Sequence, residues 1–227
     1  MRDRFTEQMK KLHAELIEMG ELCETVITLA TDSLINDNID DARSVAMIDA
    51  DIDRSERDVE SLCLKLLLQQ QPVASDLRQV SAALKMITDM ERIGDQASDI
   101  AELMEYVHGD HILDMTKISE MARAVIHMVT ESVNSYVRQD VNLARQIIAY
   151  DDVVDNLFNE IKGEIIDIIS QNKETGNREN AEKAIDIMMI AKYLERIGDH
   201  ATNIAEWAVY SVTGVHESDE SLIKVVK

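Results

Sequence analysis

Proline occurs once and glycine seven times in 227 residues, and aromatic residues make up only 4%. So few turn-formers, with no run rich in Val, Thr and aromatics, argue against strands and leave helices as the main option. Basic residues are also scarce: 23 Lys and Arg stand against 44 Asp and Glu, a formal charge of −21. A surface this acidic repels phosphate backbones and anionic lipid headgroups, which argues against nucleic-acid binding. The longest apolar run, around Leu62 to Leu68, contains Lys65 and is far too short to span a bilayer, so no direct membrane insertion is expected. The chain begins Met1-Arg2-Asp3-Arg4, without the apolar stretch of a signal peptide. Its two cysteines, Cys23 and Cys63, fall inside helical patterns and need no disulfide, so a cytoplasmic location is expected.

Apolar residues are plentiful at 45%, supplied by Met, Leu, Ile, Val and Ala. In the first segment Phe5, Met9, Leu12, Leu16, Met19, Cys23, Val26 and Ala30 step by four and three alternately. That is a heptad seam, the mark of long helices packed at small crossing angles. At about 1.5 Å per residue, such a helix reaches roughly 45 Å. Val45, Ile48, Ile52, Val59, Leu62 and Leu66 form a second seam, which Pro72 ends because proline cannot continue the hydrogen-bond ladder. The pattern predicts a third helix over 75–106, a break at His108-Gly109-Asp110, and three more helices over 113–138, 141–171 and 179–213, with the polar stretch Asn172 to Asn177 separating the last two.

The halves are copies. Residues 91–102 read ERIGDQASDIAE and residues 195–206 read ERIGDHATNIAE, nine identities in twelve positions. Upstream, Ala42-Arg43 and Asp49…Asp53 recur as Ala144-Arg145 and Asp151…Asp155. Repetition at this period, with short connections, predicts an all-α fold of two tandem three-helix bundles related by internal duplication, over residues 1–109 and 110–227.

Residues four apart share a helix face. Four acidic pairs have this spacing at matching places: Asp49/Asp53, Glu91/Asp95, Asp151/Asp155 and Glu195/Asp199. Asp99 extends the second pair by a turn, where the other half has Asn203. The midpoint of Asp53 and Glu91, and of Asp49 and Asp95, is the turn-marking Pro72. Asp155 with Glu195, and Asp151 with Asp199, both centre on position 175. Equal distances from a hairpin turn mean equal heights on antiparallel helices. Each acid also follows a seam residue, so four carboxylates are expected to converge beside the seam, bordering the core, once per half.

Clustered like charges repel, by a few tenths of a kcal/mol for each pair at this spacing, roughly, on a helix. One reading is an acidic surface answered by Arg92, Arg196 and solvent. The favoured one is a bound cation, since all-oxygen donor sets suit Mg, Ca, Mn or iron better than thiolate-seeking metals. Gly94 and Gly198 lie mid-helix, where each costs about 1 kcal/mol against alanine. They either admit a neighbouring helix or leave room for a metal cluster. His200 reads as an exposed or packing histidine, and the methionines, Met86, Met90, Met188 and Met189 among them, as core filling.

With these motifs in view, the chain resembles the PhoU family of phosphate-signalling proteins. The likeness covers almost the full length: each repeat carries Asp-x-x-x-Asp on its second helix and ERIGD followed by A-x-[DN]-I-A-E on its third. The resemblance implies a cytoplasmic negative regulator of the phosphate-starvation response, acting between the ATP-binding subunit of a phosphate ABC transporter and a sensor histidine kinase, and a homodimer. It also implies multinuclear metal clusters, often iron or zinc, on Asp49, Asp53, Glu91, Asp95 and Asp99 and on Asp151, Asp155, Glu195 and Asp199. With Asn203 in place of an acid, the two clusters are expected to differ. The sequence holds no glycine-rich phosphate loop and no convergent set of arginines. No residue is assigned a catalytic role. A metal-dependent enzyme, a di-iron oxidase or phosphatase, is the alternative, but the Glu-x-x-His spacing of ferritin-like sites is missing at the acidic pairs. A plain scaffold with solvated acids is the third reading.

Overall fold

The computed structural model describes residues 2–70, 73–107, 115–175 and 178–217. Six helices fill it: α1 Arg2–Ile35, α2 Ile39–Gln70, α3 Ala74–Val107, α4 Thr116–Arg138, α5 Val141–Thr175 and α6 Arg178–Thr213. No strand occurs among the described residues. The seams predict burial well. Leu12, Leu16, Met19, Cys23, Val26 and Ala30 are fully enclosed, as are Val45, Ile52, Val59 and Leu66, while Phe5 and Ile48 pack half-buried against them. Each large side chain removed from water in this way stabilises the fold by about 1.5–3 kcal/mol. α5 departs from expectation by running on to Thr175. Asn172, Lys173 and Glu174 are polar, but none of them stops a helix, and polarity alone is a weak terminator. The breaks expected at Pro72 and at His108-Gly109-Asp110 lie outside the described residues.

The two turns that enter α2 and α5 are copies of one device. α1 closes with Asp37 at φ 54° and α4 with Gln139 at φ 52°, each in the left-handed conformation that ends helices. The next residue caps the following helix. Asn38 Oδ1 accepts from the Asp40 N–H at 3.1 Å, and Asp140 Oδ1 accepts from the N–H groups of Asn142 and Leu143 at 3.0 and 3.1 Å. Such tight turns fix the register of each second helix against its first, and so the height at which its aspartates stand.

Within each repeat all three helices touch one another, α1–α3 in the first and α4–α6 in the second. The repeats are joined by α3 against α6, the most extensive helix pairing in the molecule, and by α1 against α4. α2 and α5 contact only their own repeat. A single apolar core runs through both bundles. Tyr136 is enclosed within it and donates its hydroxyl to the Gln79 carbonyl of α3 at 2.8 Å, tying α4 to the first repeat. This interlocking lay beyond the sequence pattern.

α3 and α6 run antiparallel. Asp89 meets His200 and Asn203, Asp99 lies in the field of Tyr193 and Arg196, and Gly214 approaches Arg78. Pairings that converge from both ends in this way set Gly94 and Gly198 level with each other. α1 and α4 are antiparallel too: Gly20 faces Val133, and Glu24 accepts from the Thr130 hydroxyl at 3.3 Å.

Candidate metal centres

The mid-helix glycines decide how closely the second helix of each repeat approaches the third. A Cβ at Gly94 would stand 2.6 Å from Asp49 Oδ1 and 3.2 Å from Ile52 Cδ1. At Gly198 it would stand 3.3 Å from Val154 Cγ1 and 3.5 Å from Asp151 Oδ1. Each glycine therefore admits both the neighbouring helix and the first aspartate of its motif, which is the close-approach reading of these glycines.

In the first repeat Asp49, Glu91, Asp95, Asp53 and Asp99 are all half-buried along the α2–α3 seam. Burial raises the Asp49 carboxyl above its ordinary range; the Ser98 hydroxyl opposes this, and Asp95, Asp53 and Asp99 push it further up. Burial likewise raises Glu91, with Asp95, Glu56 and Asp53 adding to the rise against Arg92. Asp99 is raised by burial, then by Glu102 and Asp95, against Arg196. Carboxylates that perturb one another across the helix pair stand at the heights that counting from the turn predicts. Arg92 bridges Asp95 at 3.1 Å and Glu91 at 3.4 Å, but its side chain is 54% exposed, so water screens much of its charge.

The second repeat repeats the arrangement with different compensation. Burial pushes the Asp151 carboxyl up to about 6, helped by Asp199, Asp155 and Glu195 and opposed by the Thr202 hydroxyl. Asp199 is raised by burial, with Glu195 and Asp155 adding and Lys192 and His200 subtracting. Lys192 hydrogen-bonds Glu195 while its ammonium sits 5.5 Å from the centre of the Phe158 ring. Asn203 has left the cluster. Its amide donates to Asp89 of the first repeat at 3.1 Å, beside the 2.9 Å contact between His200 Nδ1 and the same oxygen. His200 is thus the packing histidine of the two readings, seated between the repeats.

Two residues missing from the sequence reading belong to these sites. Ser98 Oγ and Thr202 Oγ1 are buried beside Asp49 and Asp151, and each hydroxyl favours the charged form of its carboxylate. The shared hydroxyl in ASD and ATN was a signal for them in the aligned repeats. Among the described residues, no three His, Cys, Asp or Glu side chains are drawn into a ready coordination sphere. The acids are grouped within electrostatic reach of one another. An all-oxygen donor set of this kind fits hard cations.

The architecture defines a class: tandem three-helix repeats fused side by side, each with an acidic cluster across its second and third helices. The PhoU domain matches this chain twice, at residues 16–104 and 118–208. The chain belongs to the PhoU family. It is similar to the phosphate-specific transport system accessory protein PhoU homolog of Clostridium acetobutylicum, 34% identical over 92% of this chain and 94% of that one. The homolog of the same name from Pseudomonas aeruginosa is 32% identical, over 93% and 86%. Among solved structures, PhoU from Pseudomonas aeruginosa superposes with a TM-score of 0.85 at 30% identity, over 93% of this chain and 100% of that one. PhoU from Streptococcus pneumoniae, at 23% identity, gives 0.84 over 93% and 98% and shares the fold. No helix among the described residues is long and apolar enough to cross a membrane.

Proposed function

We propose that this chain is a cytoplasmic, non-enzymatic accessory regulator of phosphate uptake that restrains the phosphate-starvation response. Its relatives are named as accessory proteins of the phosphate-specific transport system, which supports the transport role. In this reading the paired bundles are an adaptor between the ATP-binding subunit of a phosphate ABC transporter and a sensor histidine kinase, acting as a homodimer.

The acidic clusters are its metal sites. The observation that carries this is the cross-helix meeting of carboxylates beside a buried hydroxyl, built twice. Asp49, Asp53, Glu91, Asp95 and Asp99 would hold one metal group, and Asp151, Asp155, Glu195 and Asp199 the other. Iron or zinc is what the family resemblance implies, and Mg, Mn or Ca also suits oxygen donors. A bound metal offsets the repulsion among the carboxylates and offers positive charge to an oxyanion. The chain's own part is to hold the acids level, through the glycine contacts and the copied turns, and to temper their charge with Arg92 and Lys192.

The two halves of the proposal separate by experiment. Protein purified without chelator and analysed for metal should carry bound ions, and chelation should raise its sensitivity to thermal unfolding. Metal-free protein that neither takes up nor responds to any of these ions sinks the metal sites. For the adaptor, tagged protein recovered from cells grown in phosphate excess and in starvation should bring down the transporter subunit and the kinase. Recovery of neither under both conditions rejects it.

A further inference from the structure

The segment that follows α6 turns back onto the second repeat. The Gly214 N–H donates to the Tyr210 carbonyl at 2.8 Å and the Val215 N–H to Thr213 Oγ1 at 3.1 Å. Gly214 itself takes φ 77°, a conformation that glycine adopts at little cost. The reversal lays His216 and Glu217 across the end of α6 and the start of α5. Glu217 accepts from Arg145 Nε of α5 at 2.7 Å. The His216 ring packs edge-on against Trp207 of α6 at 4.5 Å, and its Nδ1 lies 3.6 Å from Glu206. Both side chains are largely enclosed, at 19% and 21% exposure. Residues 214–217 thus form a strap with a fastening on each helix.

α5 ends at Thr175 and α6 begins at Arg178, so the chain joins the two helices at the far end of the pair. The acidic cluster stands near the strap instead. Asp151 is 24 residues before Thr175 but six after Arg145, and Asp199 is seven before Glu206. At a rise of ~1.5 Å per residue, the fastenings lie about 10 Å along the helices from the two aspartates, and the connection about 36 Å from Asp151. The Asp140 cap ties the start of α5 to α4, whereas the strap ties it to α6. The side chains enclosed in this stretch include Ala144, Ala201, Ala205 and Ala208, and a buried methyl stabilises much less than a buried leucine.

We propose that the strap is a positioning element for the second acidic cluster. By fastening the start of α5 to the end of α6, it keeps Asp151 and Asp155 within reach of Glu195 and Asp199, the residues assigned above to one metal group. Arg145, His216 and Glu217 touch no metal; they act through the separation of the helices. The Arg145–Glu217 bridge suits this task because its carboxylate is mostly withdrawn from water, where a charge-assisted contact is stronger than on an open surface. The effect on metal affinity presupposes the metal reading above; the effect on helix motion does not.

Glu217→Gln removes the charge from the bridge and keeps the shape of the side chain. In metal-free full-length protein, this variant should quicken amide hydrogen exchange severalfold along residues 141–155. Acrylamide should also quench Trp207, the one tryptophan of the chain, more strongly. Manganese titrated into metal-stripped protein should bind one class of sites about threefold more weakly and the other as before. The weakened class should be the one that Asp199→Asn removes. Arg145→Glu should act in the same way, and Arg145→Glu combined with Glu217→Arg should recover both exchange and affinity. A bridge that merely added stability would lower the unfolding midpoint and leave manganese affinity alone. Unchanged exchange over residues 141–155 overturns the strap, whether or not metal binds. Faster exchange with both manganese classes unaltered overturns its positioning role, as does a loss of affinity spread equally over both classes. Should wild-type protein take up no manganese, the metal reading fails for that ion and exchange alone decides the strap.

Discussion

The two acidic clusters share a scaffold but differ in how their charge is met. The first keeps five acids and answers them with Arg92, a cation about half open to water that pairs with Glu91 and Asp95. The second keeps four, lends the fifth position to the inter-repeat contact as Asn203, and fixes Lys192 against Glu195 and the Phe158 ring. Duplication preserved the helix geometry, while single substitutions changed the local charge. The backbone contact is the part least free to vary; the number and compensation of the acids are tuned on top of it.

The comparison breaks most sharply at the glycines. Gly94→Leu should destabilise the protein by about 1–3 kcal/mol in urea unfolding, since the new side chain meets both Asp49 and Ile52. Gly198→Leu should cost less, because its contacts with Val154 and Asp151 begin farther out. Equal losses would show that the closer approach in the first repeat carries no extra weight.

Ligand removal sharpens the difference next. If both clusters bind metal, Asp95→Asn and Asp199→Asn should each weaken one class of sites by about tenfold or more in calorimetric titration and leave the other class intact. Loss of both classes from either substitution would refute independent sites. A smaller effect belongs to the shared contact. Asp89→Ala removes the partner of His200 Nδ1 and of the Asn203 amide and should cost about 1–2 kcal/mol, with the metal stoichiometry retained.

The smallest effect is in pH. Burial pushes the Asp151 carboxyl of the folded protein up to about 6, from an ordinary value of 3.8. Between those values the folded state binds more protons than the unfolded state, so metal-free protein should gain stability as pH falls from about 7 towards 4. Asp151→Asn should flatten that slope and stabilise the metal-free chain at neutral pH by a few tenths of a kcal/mol, roughly, because the site is half open to water. Denaturation midpoints across this range provide the check. A slope unchanged by the substitution would assign the effect to other acids.

Much of the molecule was legible in the sequence because helices convert spacing into position. The seam from Met9 to Ala30 named its buried residues, and counting outward from Pro72 and position 175 placed carboxylates opposite one another before any coordinates. What escaped was contact between repeats. Nothing local to Asp89 or His200 says that they meet, since their pairing depends on how two bundles lie together. Ser98 and Thr202 were overlooked for a different reason: a hydroxyl inside a helix carries no signal until its burial beside a carboxylate is seen. The return of Gly214–Glu217 over α5 and α6 needed a left-handed glycine followed by a long-range ion pair, and only the first of these has a sequence signal.

The level placement of Gly94 and Gly198 across antiparallel α3 and α6 gives this single polypeptide the form of a self-paired ancestor, one repeat long, folded about a local twofold axis. A true symmetric pair must change both copies at once, because one gene writes each. Fusion removes that restriction. An acid at 99 and an amide at 203 can then coexist in one molecule.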